Sequence, residues 1–294
     1  MRKFISGLSP QTQGIAAMAL AAALLSCHDA ISKHLAESYP IGQLIFYRQV
    51  CSFLILAIYI GVGPGWSVLT VNSVRRQAVR AAAFIAATVL IITSVSLLPL
   101  ATALSVVFAS PLILAALSVP LLGERVGPHR WLAILGGFTG VLVIIRPIDP
   151  AFNWLLLVPV CAAIASALRD IATRLISRTE KPLSILFWSN VAVIGAAACT
   201  LPFGMKLVAP VDFGWFAIAG LLNISAHFLM IYSLRMADAA LAAPFRYTAL
   251  VWATVLGYLI WGQMPDAWTF VGAVIIVASG LYLLMREKRA SHGS

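Results

Sequence analysis

Long apolar runs alternate with short polar segments along the whole chain. A transmembrane helix needs about 20 mostly apolar residues to cross the hydrocarbon core of a bilayer. Ten runs have this character, although the fifth is short: 13–36, 41–62, 78–98, 100–120, 130–146, 153–174, 183–204, 213–235, 239–261 and 266–286. The pattern predicts an all-α integral membrane protein of ten transmembrane helices, with the lipid bilayer as its main surroundings.

One uncharged stretch must contain a turn, because no charged residue lies between Arg80 and Glu124. As a single helix this stretch would reach about 64 Å, which is twice the thickness of the hydrocarbon core. Pro99 cannot continue the hydrogen-bond pattern of a helix. We therefore expect the chain to turn at Pro99, close to a membrane interface, where water can satisfy the exposed backbone groups.

Composition supports a membrane protein and excludes a soluble enzyme. Hydrophobic residues make up 61% of the 294 positions and charged residues only 10%, with a mean hydropathy of +0.97. Soluble domains carry about 25% charged residues. The four cysteines lie inside apolar runs, without the spacing of a metal site or a disulfide framework. They are expected to pack as small apolar side chains, and no motif indicates a metal or a cofactor.

The net charge of +10 is explained by the placement of the basic residues. If the chain begins in the cytoplasm, fourteen of the twenty lysines and arginines fall in cytoplasmic segments, whereas only Arg146 and Lys206 fall outside. This bias is the positive-inside rule of membrane proteins. It predicts a multi-pass protein of the cell (inner) membrane with both termini in the cytoplasm, and it removes the case for a nucleic-acid partner.

The N-terminus also has features of a secretory signal. Arg2 and Lys3 precede an apolar run that contains Leu24-Leu25-Ser26-Cys27, which resembles the cleavage site of a lipoprotein. Signal peptides are short and are removed. Because this run continues at helical spacing to a membrane-spanning length, we interpret it as the first transmembrane helix.

The two halves of the chain resemble each other at an offset of about 140 residues. Gly123 matches Gly262 and Phe108 matches Tyr247, while the segment 29–33 matches 170–174 at a slightly larger offset. A unit of five spans is odd, so a second copy must enter the membrane from the opposite side. The sequence thus predicts two inverted five-helix repeats, 1–148 and 149–294, an arrangement used by secondary transporters.

The chain resembles the EamA branch of the drug/metabolite transporter superfamily. The resemblance is carried by the ten spans, the two halves, the basic cytoplasmic loops, and Gly123-Glu124-Arg125 followed by Trp131 and Gly140. The second half departs from this motif at Gly262-Gln263-Met264. The resemblance covers nearly the whole chain.

The resemblance implies a secondary carrier that moves a small organic metabolite by alternating access. Members of this family often carry amino acids, and several are exporters, including exporters of aromatic amino acids. We therefore expect an amino acid exporter, with an importer of another metabolite or a carrier of organic cations as alternatives. A channel or a membrane-embedded enzyme is a further alternative, but no selectivity element or catalytic motif supports either. No nucleotide-binding motif is present, so the substrate gradient or an ion gradient, with protons as a candidate, supplies the energy.

Ionisable side chains inside the apolar runs are candidates for the transport pathway, because each charge at the centre of a bilayer costs about 3 kcal/mol or more. Asp29 and Lys33, and likewise Asp170 and Arg174, are spaced to pair on one helix face. Such pairs could hold helices together or open as gates. His28 and Asp29 are not expected to form a dyad, and Arg48 and Arg169 have the alternative of reaching an interface.

Arg246 is the strongest candidate for contact with a substrate. It follows Pro244, which is expected to kink the ninth span, and a cation at a kink could receive a carboxylate. The alternative is that carbonyls freed by the kink hold it. Four cations and two anions within the spans favour a zwitterionic or anionic substrate. The predicted pathway consists of Asp29, Lys33, Arg169, Asp170, His227, Arg246, Tyr247 and Trp252.

Gly136 and Gly140 form a GxxxG pattern in the fifth span. Small residues at this spacing let two helices approach closely. We interpret the pattern as packing within one chain, which favours a monomer over a dimer.

The predicted orientation can be tested by labelling single cysteines introduced at Ser73 and Asp149. A membrane-impermeant thiol reagent added to intact cells should label the cysteine at 149 and spare the one at 73, because the basic loop at 63–77 is expected in the cytoplasm. Labelling of position 73 from outside would reverse the orientation.

Overall fold

The computed structural model describes residues 9–123, 127–150, 152–176, 179–237 and 242–291, and within these ranges the chain is helical with short connections. The family motif residues Glu124 and Arg125 and the start of the ninth predicted span lie outside them. The α-helices are α1 Pro10–Ser38, α2 Ile41–Val62, α3 Val74–Leu97, α4 Leu100–Val107, α5 Ser110–Leu122, α6 Pro128–Ile145, α7 Leu157–Ile176, α8 Pro182–Ala198, α9 Pro210–Met236, α10 Thr248–Trp261 and α11 Ala267–Ser291. Short 3-10 helices occupy Trp66–Leu69, Trp154–Leu156, Leu201–Phe203 and Ala243–Tyr247.

The helices are long and apolar enough for a membrane protein. Among the described residues, seven helical segments are long and apolar enough to cross a bilayer, and shorter apolar helices cover Trp131–Ile145 and Ala267–Leu283. The second predicted span, 41–62, coincides with α2. These helices confirm the all-α membrane class, while the count of ten spans stays a prediction.

The predicted turn at Pro99 is present. The backbone N–H of Leu98 donates to the Ser94 carbonyl at 3.1 Å and closes α3, and Pro99 caps the start of α4. Proline fits this place because the first N–H groups of a helix have no partner within it.

Both matched spans, the fourth and the ninth of the prediction, are interrupted. The fourth breaks between α4 and α5 at Phe108, and in the ninth a 3-10 turn at Ala243–Tyr247 precedes α10. The kink expected at Pro244 is therefore a short 3-10 turn. Phe108 and Tyr247 occupy matched positions in the two halves, and their rings contact each other with centroids 5.5 Å apart.

The same two spans end in the same way. Gly123 closes α5 with φ at +69°, and Gly262 closes α10 with φ at +64°. This left-handed conformation is strained for other residues, so glycine is the usual helix terminator. The matched glycines of the sequence thus have the same structural function.

The helices pack in pairs that join the first and second halves of the chain. α1 packs along α9, and α3 packs along α7. At the sequence offset, α1 matches α7 and α9 matches α3, so the two contacts are equivalent. α6 packs along α11, which is its own matched helix. Repeats related by a two-fold axis would pack in this manner, and the division at residue 148 stays a prediction.

Two hydrogen-bonded clusters, at opposite ends of the bundle, close the N-termini of long helices. Where α1 ends, the Tyr39 hydroxyl donates to Asp212 at 2.6 Å and accepts from the Ala209 N–H at 3.0 Å, beside the start of α9. Where α8 begins, the Glu180 carboxylate accepts from the N–H groups of Asn72 and Ser73 at 2.7 and 3.1 Å, beside the start of α3. We call these the Tyr39 cluster and the Glu180 cluster.

The GxxxG pattern packs within the chain, as expected. A β-carbon on Gly140 would lie 2.8 Å from the Gly272 carbonyl oxygen, and one on Gly136 would lie 2.8 Å from the Ser279 hydroxyl. α6 and α11 are therefore in backbone contact, which only the absence of side chains permits.

Gly140→Ala should lower the free energy of unfolding in detergent by about 1–3 kcal/mol, because the new methyl group overlaps the Gly272 backbone. Gly195→Ala is the matched control, since a β-carbon on this α8 glycine meets no other residue within 4 Å. That variant should be as stable as the native protein or slightly more stable, because alanine favours a helix. Thermal unfolding measures both, and equal stabilities of the two variants would contradict the close contact.

Candidate functional site

A cavity of about 350 Å³ lies inside the bundle. Small-molecule sites in proteins have volumes of about 300–1,000 Å³. The lining of the cavity extends from Met18 to Asp29 on α1 and from Arg80 to Ile92 on α3, so it occupies the middle of both helices. α7, α9 and the Ala243–Tyr247 turn supply further parts of the wall. A site at this depth is where transporters built from repeats bind their substrates.

The cavity wall has an excess of positive charge. Among the described residues, the ionic side chains that line it are four arginines and two aspartates: Arg48, Arg80, Arg169, Arg246, Asp29 and Asp170. Buried charges of one sign attract ligands of the other sign. Such a wall suits an anion, or a zwitterion whose negative group makes more contacts with the wall than its positive group.

Asp29 is held by His28, its neighbour in the chain. The Nδ1 of His28 lies 2.9 Å from the Asp29 carboxylate, and its Nε2 lies 2.6 Å from a terminal nitrogen of Arg48. A guanidinium can only donate, so Nε2 must accept and Nδ1 must carry the proton. The prediction that His28 and Asp29 would not form a dyad is therefore wrong. One ring nitrogen of His28 bonds to Asp29, and the other bonds to Arg48.

Asp170 is held in the same way in the second half. The Arg169 guanidinium donates to the Asp170 carboxylate through Nε at 2.9 Å and through Nη2 at 2.8 Å. The pair Arg169–Asp170 is matched to His28–Asp29 by the offset of 141 residues. Each half thus presents a carboxylate bonded to the residue before it, a contact that the spacing of residues four positions apart did not predict.

Lys33 lies outside the cavity wall and does not form an ion pair with Asp29, so the predicted pair is wrong. Its ammonium donates to the carbonyls of Val95 and Leu98 at 2.8 and 2.7 Å. The helical partner of the Val95 carbonyl would be the N–H of residue 99, which proline lacks. Lys33 therefore replaces a backbone donor that Pro99 removed, and its function is to close the end of α3.

Arg48 and Arg80 are cavity residues that the predicted pathway omitted. Arg48 is 4% exposed inside the bundle and so does not reach an interface. Arg80, which the sequence placed in a cytoplasmic segment, is 5% exposed because α3 starts at Val74. Its guanidinium donates to the Thr173 hydroxyl at 3.0 Å and to the Ile185 carbonyl at 3.2 Å. The signal in the sequence that could have identified Arg80 as buried is its position six residues after the start of α3.

Arg246 faces the cavity from the 3-10 turn. Among the described residues, its guanidinium has no hydrogen-bond partner. The charged side chains that interact with it electrostatically are Asp170, which attracts it, and Arg169, which repels it. Tyr247 lies behind it and not in the cavity wall. The Tyr247 ring packs between Phe108 and Gly280, whose missing side chain leaves room for the hydroxyl. Tyr247 therefore fixes the turn that presents Arg246.

Of the remaining two predicted pathway residues, one lines the cavity and the other does not. His227 lines the cavity, and its Nδ1 donates to the Asn223 carbonyl one turn earlier at 2.8 Å. Trp252 is 44% exposed on the outer face of α10 and lies away from the cavity, as expected for a residue that faces lipid. Asp29, Arg169, Asp170, His227 and Arg246 are thus the predicted residues that the fold brings together.

An apolar wall completes the cavity. Its larger side chains are Phe84, Ile91, Ile92, Leu104, Phe108 and Met230. This surface could receive the hydrocarbon part of a ligand whose charged end meets the arginines. Within the described residues, no three histidine, cysteine or acidic side chains are grouped to hold a metal ion.

Known proteins similar to this chain are transporters of small metabolites. An S-adenosylmethionine uptake transporter of Rickettsia prowazekii is 29% identical over 96% of both chains. A riboflavin transporter of Rhizobium johnstonii is 29% identical over 67% of this chain and 66% of its own length, and the pseudopaline exporter CntI of Pseudomonas aeruginosa is 24% identical over 94% and 97%.

Two further comparisons concern the fold and the family. A solved crystal structure superimposes with a TM-score of 0.64 over 94% of this chain and 97% of its own, at 19% identity, which supports the fold alone. The sequence model of the EamA-like transporter family matches residues 12–146 and again residues 153–286. The chain therefore belongs to the EamA-like transporter family and is a multi-pass small-metabolite transporter.

Proposed function

We propose that this protein is a secondary carrier that moves a small metabolite with an α-amino carboxylate group across the cytoplasmic membrane by alternating access. Amino acids, including aromatic ones, are the first candidates. Both termini lie in the cytoplasm, and two inverted five-helix units, 1–148 and 149–294, form the ten spans. The chain acts as a monomer.

The observation that carries the substrate class is Arg246. Its guanidinium faces the cavity without a hydrogen-bond partner among the described residues, whereas Asp29 is already bonded to the neighbouring His28 ring and Asp170 to the neighbouring Arg169 guanidinium. A guanidinium binds a carboxylate through two parallel hydrogen bonds. A substrate carboxylate at Arg246 leaves the carboxylates of Asp29 and Asp170 as the acceptors for a substrate ammonium. The apolar wall around Phe84 and Phe108 receives the substrate side chain.

The inverted arrangement is supported by several independent features. The family model matches the chain twice, the equivalent helix pairs α1–α9 and α3–α7 pack alike, and both interrupted spans end at glycine. The Tyr39 and Glu180 clusters also form equivalent contacts at opposite ends. An inverted repeat of this kind places one binding site between two halves that can alternate.

Two directions of transport are candidates. The resemblance of the sequence favours export, which is also the direction named for the pseudopaline exporter. Uptake is the second candidate, because an S-adenosylmethionine uptake transporter matches 96% of the chain and S-adenosylmethionine itself contains an α-amino carboxylate.

The proposal is tested with purified protein in liposomes and a panel of labelled amino acids, S-adenosylmethionine, riboflavin, nucleosides and organic cations, with and without a pH gradient. Saturable transport of compounds with an α-amino carboxylate is expected. Transport of organic cations alone would exclude the proposed substrate class, and conductance without saturation would exclude a carrier.

Arg246→Ala should weaken the binding of amino acids more than the binding of their amides, because only the acids offer a carboxylate. The expected difference is about 1–3 kcal/mol, which corresponds to about 5–150-fold in affinity. Arg246→Lys should recover part of it, since lysine keeps the charge but not the paired geometry. Competition against a transported substrate measures both variants.

Arg146→Ala is the control for Arg246→Ala. Arg146 forms an ion pair with Asp266 at the end of the bundle, outside the cavity, so acids and amides should compete as in the native protein. If Arg246→Ala weakens acids and amides equally while the protein is correctly folded, Arg246 holds the helix and does not bind the substrate.

A further inference from the structure

We propose that His28, between Asp29 and Arg48, is a proton-binding site and that its protonation releases Arg48 to join Arg246 in binding the substrate carboxylate. The inference rests on the proposed function, because it assigns the coupling ion of the same cavity. It makes the proton a co-substrate: one proton and one carboxylate occupy the site together.

The resting hydrogen bonds require a neutral imidazole. The Nδ1–H of His28 donates to Asp29 at 2.9 Å, and Nε2 accepts from Arg48 at 2.6 Å. All three side chains line the cavity, and His28 and Arg48 are each 4% exposed. A histidine with one donating and one accepting nitrogen can take up only one further proton, and only at Nε2.

Proton uptake breaks one of these bonds. A hydronium ion from the solvent transfers its proton to Nε2 and leaves water, and the new N–H bond then points a donor and a positive charge at the Arg48 guanidinium. Two donors and two cations at 2.6 Å repel each other, so Arg48 must leave. The bond from Nδ1 to Asp29 becomes an ion pair and is retained.

Arg48 has unused capacity for an anion. Its Nε is buried and has no hydrogen-bond partner, which is costly for a charged group. A carboxylate in the cavity would supply an acceptor for the Nη1 group that His28 gives up or, once the guanidinium has turned, for Nε and Nη2 on its other edge. Binding of the carboxylate and binding of the proton therefore favour each other, and this reciprocity is required of any linked pair.

The charges around His28 come from several helices. Asp29 on α1, Arg48 on α2 and His227 on α9 interact with it electrostatically. Arg80 on α3, Arg169 and Asp170 on α7, and Arg246 on the 3-10 turn line the rest of the cavity. Within the described residues, α4 and α10 place no charged side chain in its wall.

The second half of the chain supplies a natural comparison. Arg169 occupies the position matched to His28 and donates to Asp170 as a protonated His28 would donate to Asp29. Arginine stays charged at all physiological pH values, whereas histidine titrates near neutral pH. At this matched position only the first half is titratable, so we assign the coupling proton to His28.

Transport tests the coupling in liposomes that contain a pH-sensitive dye, with L-phenylalanine and S-adenosylmethionine as probes. Each transported molecule should carry one proton in the same direction, and the KM should fall by up to about tenfold per pH unit as the pH drops through the titration of His28. His28→Gln should transport without proton movement and with a high KM that does not change with pH, because the amide keeps one donor and one acceptor, and so keeps Arg48 bound, but cannot be protonated.

Two histidine variants are the controls. His34→Gln, which changes an exposed residue on the same helix, should behave as the native protein. His227→Gln changes the other cavity histidine and should keep the proton movement. Proton movement that persists in His28→Gln, or that disappears in His227→Gln alone, overturns the proposal.

Nitrogen-15 NMR of histidine-labelled protein separates this inference from the proposed function, because it needs no substrate. The signal that His28→Gln removes should show the Nδ1–H tautomer at high pH and a doubly protonated ring at low pH. The opposite tautomer, or a ring that stays neutral down to about pH 5, overturns the proton site. If neither probe is transported but the titration is seen, the substrate assignment fails and the proton site stands.

Discussion

The structure depends on one constraint: a charged side chain inside an apolar helical bundle must have a partner, either within the protein or in a ligand. Water cannot screen such a charge, and each one placed in the bilayer centre costs about 3 kcal/mol or more. Lys33 bonds to two carbonyls, Arg80 to a hydroxyl and a carbonyl, and Asp29 and Asp170 to the residues before them. These partners come from helices of both halves, so the charges hold together the elements that surround the cavity.

The same constraint distinguishes structural from functional cations. Lys33 has its carbonyl acceptors and closes a helix, whereas Arg246 faces the cavity without a described partner and Arg48 keeps one buried nitrogen unbonded. Unsatisfied donors that line a cavity are expected where a ligand completes the bonding. The proposed carboxylate site follows from the contrast between bonded and unbonded cations. The number of charges does not identify it, because the predicted spans and the described part of the cavity wall both contain four cations and two anions.

The sequence predicted those features that depend on local patterns. The span at 41–62, the turn at Pro99 and the helix ends at Gly123 and Gly262 follow from apolar length, from the missing N–H of proline and from glycine conformation. Matched positions also gave the Phe108–Tyr247 pair, which turned out to be in contact.

Partner choice could not be predicted in the same way. Spacing along one helix suggested a bond between Asp29 and Lys33. Lys33 instead donates to carbonyl groups at the end of α3, where Pro99 has no N–H group to offer. Arg80 was assigned to a cytoplasmic segment because it follows Arg75 and Arg76 closely, but all three belong to α3. The hydrogen bonds from Asp29 to His28 and from His28 to Arg48 connect α1 with α2. A contact between two helices leaves no periodic pattern in the sequence, so it could not be predicted.

The contact between Phe108 and Tyr247 has a mechanical consequence in the proposed inverted repeat. If transport exchanges the conformations of the two halves, every contact is converted into its matched counterpart: the Tyr39 cluster at one end exchanges with the Glu180 cluster at the other. A contact between two residues that match each other is converted into itself. In such an exchange the two rings, whose planes are tilted by 43°, keep their contact and would act as the fixed point around which both ends of the bundle open in turn.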